Sequence, residues 1–181
     1  MYVVNKNKTA RNKEKFNHGI TKVRLSKSER IDKEELRKTK NDPHTRGDID
    51  SKHEILNQYN EDITINGDRN LLKEALRVFI DNSIKYTEDG GVIKINSFSK
   101  NKSLILEIED SGSGILKEDL PHIFDRFYRA DKSRTKETGG TGLGLSIAKW
   151  IILNHKGTIE VQSKLGWGTK ISILLPLKER V

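Results

Sequence analysis

Four short motifs that can bind parts of one ligand follow one another between Leu76 and Thr169. They are an Asn-Lys-Tyr helix around Asn82, an Asp-x-Gly-x-Gly turn from Asp110, a Gly-x-Gly-x-Gly stretch from Gly140, and a Gly-x-Gly-Thr turn. A carboxylate can accept a hydrogen bond from the edge of a base, glycines let backbone N–H groups approach phosphates, and an amide oxygen can bind a metal ion. The four motifs together predict an ATP site.

Asp110 is the predicted contact to the base. It ends a predicted strand and enters the turn 111–114, so its carboxylate should stand at the end of a sheet and accept from the exocyclic amine of adenine. The alternative for this motif alone is an aspartate that starts a turn whose glycines supply positive φ. Tyr86 is expected to lie against the base or to pack as half-buried core. The Thr169 hydroxyl is expected at the rim of the nucleotide.

The phosphates and a metal ion are predicted near the third motif and the Asn82 helix. Backbone N–H groups and the dipole of the helix that follows favour an anion at Gly140, Thr141, Gly142, Leu143 and Gly144; a flexible hinge is the alternative. The Asn82 amide oxygen is a hard ligand that suits Mg²⁺, although a solvent-facing asparagine needs no such role. Lys85 can neutralise phosphate charge. Arg129 can reach a terminal phosphate or be an ordinary surface charge.

The elements that position these residues predict an α/β (α+β) two-layer sandwich, with helices on one face of a mixed, mostly antiparallel sheet. A long helix should begin near Arg69, after the candidate N-cap Asp68. Its predicted buried stripe is Leu72, Ala75, Leu76, Phe79, Ile80 and Ser83. The other predicted elements are two strands within 54–66, strands 92–98 and 104–109, one or two short helices in 116–129, a lid-like segment 130–138, a helix from Gly144 that stops at Gly157, and a hairpin of 158–163 and 169–175. Phe124 and Phe127 are expected to anchor the lid onto the body.

Composition divides the 181-residue chain into a basic segment, 1–45, expected to be a linker that is partly disordered or helical, and an ATPase domain, 46–181. The first fifty residues hold 14 Lys and Arg against 8 Asp and Glu. Nucleic-acid binding by this arm is disfavoured because it has few aromatics and no amphipathic stripe. The absence of Cys excludes a thiolate metal site and fits a cytoplasmic protein. No apolar run approaches the roughly 20 residues that cross a bilayer, so direct membrane insertion is not expected.

These motifs resemble those of the ATP-binding catalytic domain of bacterial sensor histidine kinases, in the gyrase, Hsp90, histidine kinase and MutL superfamily. The resemblance covers roughly residues 50–177. It consists of FIDNSIKYT at 79–87 (similar to the N box), DSGSG at 110–114 (G1 box), IFDRFY at 123–128 (F box), GTGLGL at 140–145 (G2 box) and GWGT at 166–169. The fold that it implies is the Bergerat-type ATP-binding fold.

The resemblance implies transfer of the γ-phosphoryl group of Mg-ATP to a histidine on a separate phosphoacceptor domain, with a response regulator as the further partner of this two-component system. It implies that Asn82 binds Mg²⁺ and that Asn82, Lys85 and Arg129 are catalytic. In a longer protein, a membrane sensor could tether the domain. The ATP-binding residues that it implies are Asn82, Lys85, Tyr86, Asp110, Gly112, Gly114, Ile115, Phe127, Gly140, Thr141, Gly142, Leu143, Gly144, Leu145 and Thr169.

Three departures from the family pattern leave an alternative open. Val78 stands where the family usually has a second asparagine or an acid, no histidine lies in the acceptor pattern, and the helix expected between Asp32 and His44 is short and weakly apolar. The alternative function is therefore a catalytically weak nucleotide-binding interaction module that lacks its acceptor domain. A serine kinase of the anti-sigma type, or an ATPase coupled to conformational change, is the third interpretation.

Overall fold

The computed structural model describes residues 2–4, 21–25, 53–59, 63–130 and 141–177. The predicted helix between Asp32 and His44, the lid-like segment beyond Ala130, and Gly140 lie outside these ranges. The described helices and strands are β1 (Tyr2–Val4), β2 (Thr21–Leu25), β3 (Glu54–Tyr59), β4 (Ile63–Gly67), α1 (Arg69–Tyr86), β5 (Val92–Lys100), β6 (Ser103–Asp110), α2 (Gly144–Asn154), β7 (Thr158–Lys164) and β8 (Gly168–Pro176).

The larger sheet has the strand order β1-β7-β8-β6-β5-β3, and β3 runs parallel to β5 while the other neighbours are antiparallel. Strands β2 and β4 form a separate antiparallel pair. The predicted two-layer sandwich with a mixed, mostly antiparallel sheet is confirmed. Strands β1 and β2 lie in the segment interpreted as a linker, and neither was predicted, because three and five residues carry too little alternation to reveal a strand.

Helix α1 begins where its sequence indicates. The Asp68 carboxylate accepts from the backbone N–H groups of Asn70 (2.9 Å) and Leu71 (3.1 Å), which caps the first turn. The fully buried residues of the helix are Leu72, Ala75, Phe79 and Ser83, whereas Leu76 and Ile80, also predicted for the stripe, are half-buried. The helix ends at Tyr86, followed by the extended residue Thr87, whose hydroxyl donates to the Ser83 carbonyl at 2.7 Å.

The core lies between the two helices and one face of the sheet. Period-two burial along β6 places alternate residues inward, as expected for a sheet covered on one face. From α2, Ala148, Ile151 and Ile152 are buried against it. The sheet residues at 1% exposure or less are Ile93, Leu104, Ile108, Ile159, Val161 and Ile173.

The end of α2 differs from the prediction. Lys156, with φ 61°, and not Gly157, adopts the left-handed conformation. Lys156 N–H donates to the Leu153 carbonyl (3.0 Å) and Gly157 N–H to the Ile152 carbonyl (2.9 Å), which is a Schellman motif. Gly157 is required for space, because a Cβ there would lie 2.7 Å from the Leu174 carbonyl oxygen.

The segment 116–129 forms a run of turns where short helices were predicted. Backbone bonds join Asp119 to Leu116 and His122 to Asp119, but Pro121 has no N–H to continue a helix. Phe124 is buried at 4% exposure, as predicted for an anchor. The same prediction is wrong for Phe127, whose ring is 71% exposed. The Phe127 backbone, which has a positive φ of 64°, contacts Gly142 instead.

Candidate functional site

Asp110, the last residue of β6, is buried and held from three sides. Oδ1 accepts from the backbone N–H groups of Gly112 (3.0 Å) and Thr169 (3.1 Å), and Oδ2 accepts from the Ser83 hydroxyl at 2.9 Å. Burial raises the pKa of Asp110 above its ordinary value, and Glu109 raises it further, while these three hydrogen bonds oppose the rise. A carboxylate has about four acceptor positions, so one remains on Oδ2 for a ligand donor.

The glycine turn after Asp110 is clamped between α1 and the β7–β8 hairpin. A Cβ on Gly112 would overlap the Tyr86 carbonyl, so the backbone approach at this point requires glycine. Ser113 N–H donates to that same carbonyl at 3.0 Å, and Gly166 N–H donates to the Ser113 carbonyl at 2.7 Å. Three of the four motifs, including the end of the Asn82 helix, therefore meet at Asp110.

Thr169 contributes to this end of the site through its backbone as well as its hydroxyl. Its N–H holds Asp110, and its Oγ1 lies 3.0 Å from Oγ of Ser163. Ser163 also accepts from Ile115 N–H at 2.8 Å. The turn that follows Asp110 is therefore joined to the hairpin at two points, Gly166 and Ser163.

Asn82 is half-buried on α1, directly before Ser83. Its Nδ2 donates to the Val78 carbonyl at 2.8 Å, so its Oδ1 points away from that carbonyl. In the described part of the chain no group of three His, Cys, Asp or Glu side chains is arranged to hold a metal ion. An amide oxygen fits Mg²⁺ nevertheless, because Mg²⁺ commonly takes one or two protein ligands together with phosphate oxygens and water.

The start of α2 lies beside α1. A Cβ on Gly144 would be 3.3 Å from Cγ1 of Val78, one turn before Asn82. No side chain caps α2 at Leu143, whereas α1 is capped by Asp68. Backbone N–H groups at an uncapped helix N-terminus attract an anion. A phosphate at this point would therefore lie next to the Asn82 turn.

Two cations, Lys85 and Arg129, and the Phe127 backbone border the same region. Partial burial lowers the pKa of Lys85, and the Arg129 guanidinium lowers it further, so these two positive charges are near one another. Phe127 N–H donates to the Gly142 carbonyl at 3.0 Å, and Gly142, with φ 70°, packs against the Phe127 backbone. The Arg129 segment is thus joined to the glycine loop. A concentration of positive charge beside backbone N–H groups suits a polyphosphate.

The structure therefore brings the predicted residues into two neighbouring groups. Tyr86 is 49% exposed and 5.4 Å, ring centroid to Nζ, from Lys85, so it is not core. The first group is connected to Asp110 by hydrogen bonds and close backbone approaches and contains Tyr86, Gly112, Gly114, Ile115 and Thr169. The second contains Asn82, Lys85, Phe127, Arg129, Gly142 and Gly144, with Thr141, Leu143 and Leu145 as their neighbours in the chain. The role of each in nucleotide binding stays a prediction.

Sequence reasoning missed two hydroxyl groups. Ser83 was placed on the buried stripe of α1, and a buried hydroxyl needs a hydrogen-bond partner, so the pattern contained a signal for its bond to Asp110. Ser163 gave no such signal. Its contacts depend on the hairpin register, in which Ser163 lies opposite Thr169.

Comparison with known proteins agrees with this geometry. The family model described as histidine kinase-, DNA gyrase B- and HSP90-like ATPase matches residues 67–179. Over 119 residues the chain is 41% identical to the sensor histidine kinase YkoH of Bacillus subtilis, covering 66% of this chain and 26% of that protein. Over 121 residues it is 45% identical to the sensor protein CiaH of Streptococcus pneumoniae, covering 65% and 27% respectively. The chain spans about a quarter of the length of these relatives.

Solved structures show the same similarity. The mycobacterial sensor histidine kinase MprB superposes with a TM-score of 0.67 and 26% identity, covering 87% of this chain and 99% of that one. The catalytic domain of the histidine kinase ThkA superposes with a TM-score of 0.65 and 25% identity, covering 87% and 97% respectively.

Proposed function

Because the chain belongs to the histidine kinase-, DNA gyrase B- and HSP90-like ATPase family and is an ATP-binding catalytic domain of the histidine kinase type, we propose that it transfers the γ-phosphoryl group of Mg-ATP to a histidine on a separate phosphoacceptor domain. The observation that carries the proposal is the junction at Asn82 and Ser83. Ser83 holds the Asp110 carboxylate on one side, while the Asn82 turn packs beside the start of α2.

Adenine recognition is assigned to Asp110. The one acceptor position left on Oδ2 suits the exocyclic amine of adenine, and the carbonyl of a guanine or hypoxanthine ring would face a carboxylate instead. Ile115 and Tyr86 would offer apolar and aromatic surface to the base. This assignment is supported by the three protein donors that fix the carboxylate.

Phosphate positioning is assigned to the start of α2 and the two cations. The backbone N–H groups of 142–144 would hold the phosphates, and Lys85 and Arg129 would neutralise their charge. When bound, Mg²⁺ would supply further charge neutralisation, with Asn82 Oδ1 as its protein ligand. Phosphoryl transfer depends mostly on positioning and electrostatic stabilisation, which are the contributions that these residues can make.

The partners follow from the same proposal. The acceptor would be a helical domain that carries the histidine, and a response regulator would receive the phosphoryl group. The support is that the relatives are named as a sensor histidine kinase, a sensor protein and a signal transduction histidine-protein kinase. No described helix combines the length and apolar character that a membrane crossing needs. We propose a cytoplasmic location for the domain, with its sensor elsewhere in a longer protein.

The experiment is transfer of label from γ-³²P-ATP to a separately purified acceptor domain of a related histidine kinase. We expect labelled acceptor with the wild type and none with Asn82→Ala. Lys73→Ala is the matched control, because Lys73 is an exposed α1 residue nine positions before Asn82 and therefore lies on the opposite side of the helix. Unlabelled acceptor in the presence of measured ATP binding would rule out the phosphotransfer that we propose.

Val78 favours the second candidate, a catalytically weak nucleotide-binding module. Its side chain is apolar, half-buried and in contact with the start of α2, so it cannot orient a metal-bound water. Val78→Asn restores an amide of similar size. Appearance of phosphotransfer only in this variant would support the weak module; equal activity in both proteins would support the kinase.

A further inference from the structure

Ser163 lies opposite Thr169, at the Asp110 end of the site, and contacts three groups from two separate segments. Its Oγ is 2.8 Å from Ile115 N, 2.8 Å from the Gly168 carbonyl oxygen and 3.0 Å from Thr169 Oγ1. The half-buried side chain therefore joins the turn after Asp110 to the β7–β8 hairpin.

These partners fix the direction of each hydrogen bond. Ile115 N–H can only donate, and the Gly168 carbonyl can only accept. A serine hydroxyl has one proton and two lone pairs, so Ser163 accepts from Ile115 and donates its proton to Gly168. In the remaining contact Thr169 must be the donor, and its hydroxyl proton points at Ser163.

Thr169 therefore presents lone pairs, and no proton, on the side away from Ser163. Thr169 is the cross-strand partner of Asp110 and donates its backbone N–H to that carboxylate. Two neighbouring side chains at this end of the site consequently offer acceptors. We propose that Ser163 is a positioning residue that sets Thr169 as an acceptor, and that it thereby favours a base with an exocyclic amine over a base with a carbonyl at the same place.

The inference rests on the proposed binding of ATP with its base at Asp110. Without the Ser163 hydroxyl, the Thr169 hydroxyl can rotate and donate to a ligand carbonyl. Ile115 N–H and the Gly168 carbonyl would also lose their partner. The affinity for a base with an exocyclic amine, relative to a base with a carbonyl, should then fall. The carbonyl would gain the Thr169 hydroxyl as a hydrogen-bond donor, whereas the amine would lose it as a fixed acceptor.

The test compares Ser163→Thr with Ser163→Val by calorimetric titration with ATP and with inosine triphosphate, whose base carries a carbonyl in place of the amine. Threonine and valine have nearly the same shape and both suit a strand, so the pair isolates the hydroxyl. Gln162→Val is the control, because Gln162 is exposed on the opposite face of β7. Thermal unfolding is measured in parallel.

The ratio of the ATP and inosine triphosphate affinities is the deciding quantity. We expect Ser163→Thr and Gln162→Val to keep the wild-type ratio, and Ser163→Val to reduce it about five- to tenfold, which is the effect of losing about one hydrogen bond of favourable polarity. A lower unfolding temperature with an unchanged ratio would show that Ser163 has a structural role only and would overturn the inference.

A second pair keeps the test decisive if Ser163→Val does not fold. Thr169→Ser retains the hydroxyl and should retain the ratio, whereas Thr169→Val should reduce it as Ser163→Val does. An unchanged ratio in Thr169→Val would contradict the inference. Failure of the wild type to bind either nucleotide would overturn the proposed function itself. ATP binding by the wild type, together with an unchanged ratio of the two affinities in every variant, would overturn the inference alone.

Discussion

Substitution of Asp110 by asparagine changes one acceptor of the site while leaving its shape almost intact. The asparagine Oδ1 can keep the bonds from Gly112 and Thr169, and the Ser83 hydroxyl can rotate to accept from Nδ2. The internal hydrogen bonds therefore survive. What is lost is the charged acceptor position on Oδ2, which becomes an N–H directed at the amine of adenine.

A hydrogen bond to a charged group contributes about 1.5–3 kcal/mol, so Asp110→Asn should weaken ATP binding about 10- to 150-fold. Isothermal titration calorimetry with Mg-ATP measures this change, and thermal unfolding shows whether the fold is retained. Asp125→Asn, at an exposed carboxylate outside the site, is the matched control and should bind as the wild type does. Unchanged ATP affinity in folded Asp110→Asn would refute base recognition by Asp110.

Four further outcomes test separate parts of the account. ATP affinity should fall on acidification already above the ordinary aspartate pKa of about 3.9, because burial raises the pKa of Asp110 and protonation removes the acceptor; Asp110→Asn should lack this dependence in titrations across pH. Because the pKa of Asp110 is higher in the folded protein than its ordinary value, protonated Asp110 favours the folded state, and this contribution to the free energy of unfolding is lost as pH rises through the folded-state pKa. The urea unfolding curves of the wild type and Asp110→Asn should therefore converge at low pH. Asn82→Ala should reduce ATP affinity in Mg²⁺ to the value measured in EDTA, and an Mg²⁺ effect that persists would show that another group holds the metal. His155→Ala should destabilise the fold by about 1–3 kcal/mol in urea unfolding, because His155 Nε2 accepts from Asp68 N–H at 2.9 Å at the start of α1; Asn154→Ala, at an exposed site, should change stability much less.

The parts of the fold that the sequence predicts are those with local signals. Helix α1 has its own cap in Asp68 and its own buried stripe, and the β7–β8 hairpin has glycines on both sides of Trp167. Asp110 was identifiable as the end of β6, because a carboxylate that ends an alternating strand and precedes glycines is typical of the start of a turn. These features depend on residues close together in the chain.

The parts that could not be predicted depend on distant pairing. Strand β1 pairs with β7, about 160 positions later in the chain, and its three residues contain no pattern of their own. The turns of 116–129 lack the predicted helices because Pro121 interrupts the helical hydrogen bonding, and the burial of Leu120, Ile123 and Phe124 in the core joins these turns to distant elements. The role of Ser163 arises only when the hairpin register places it opposite Thr169.

The most direct test of the central claim is a crystal structure of the domain with Mg²⁺ and a non-hydrolysable ATP analogue. We expect the exocyclic amine within hydrogen-bond distance of Asp110 Oδ2, the phosphates at the start of α2, and the metal ion on Asn82 Oδ1. An analogue bound with its base away from Asp110, or with its phosphates away from residues 142–144, would contradict the account.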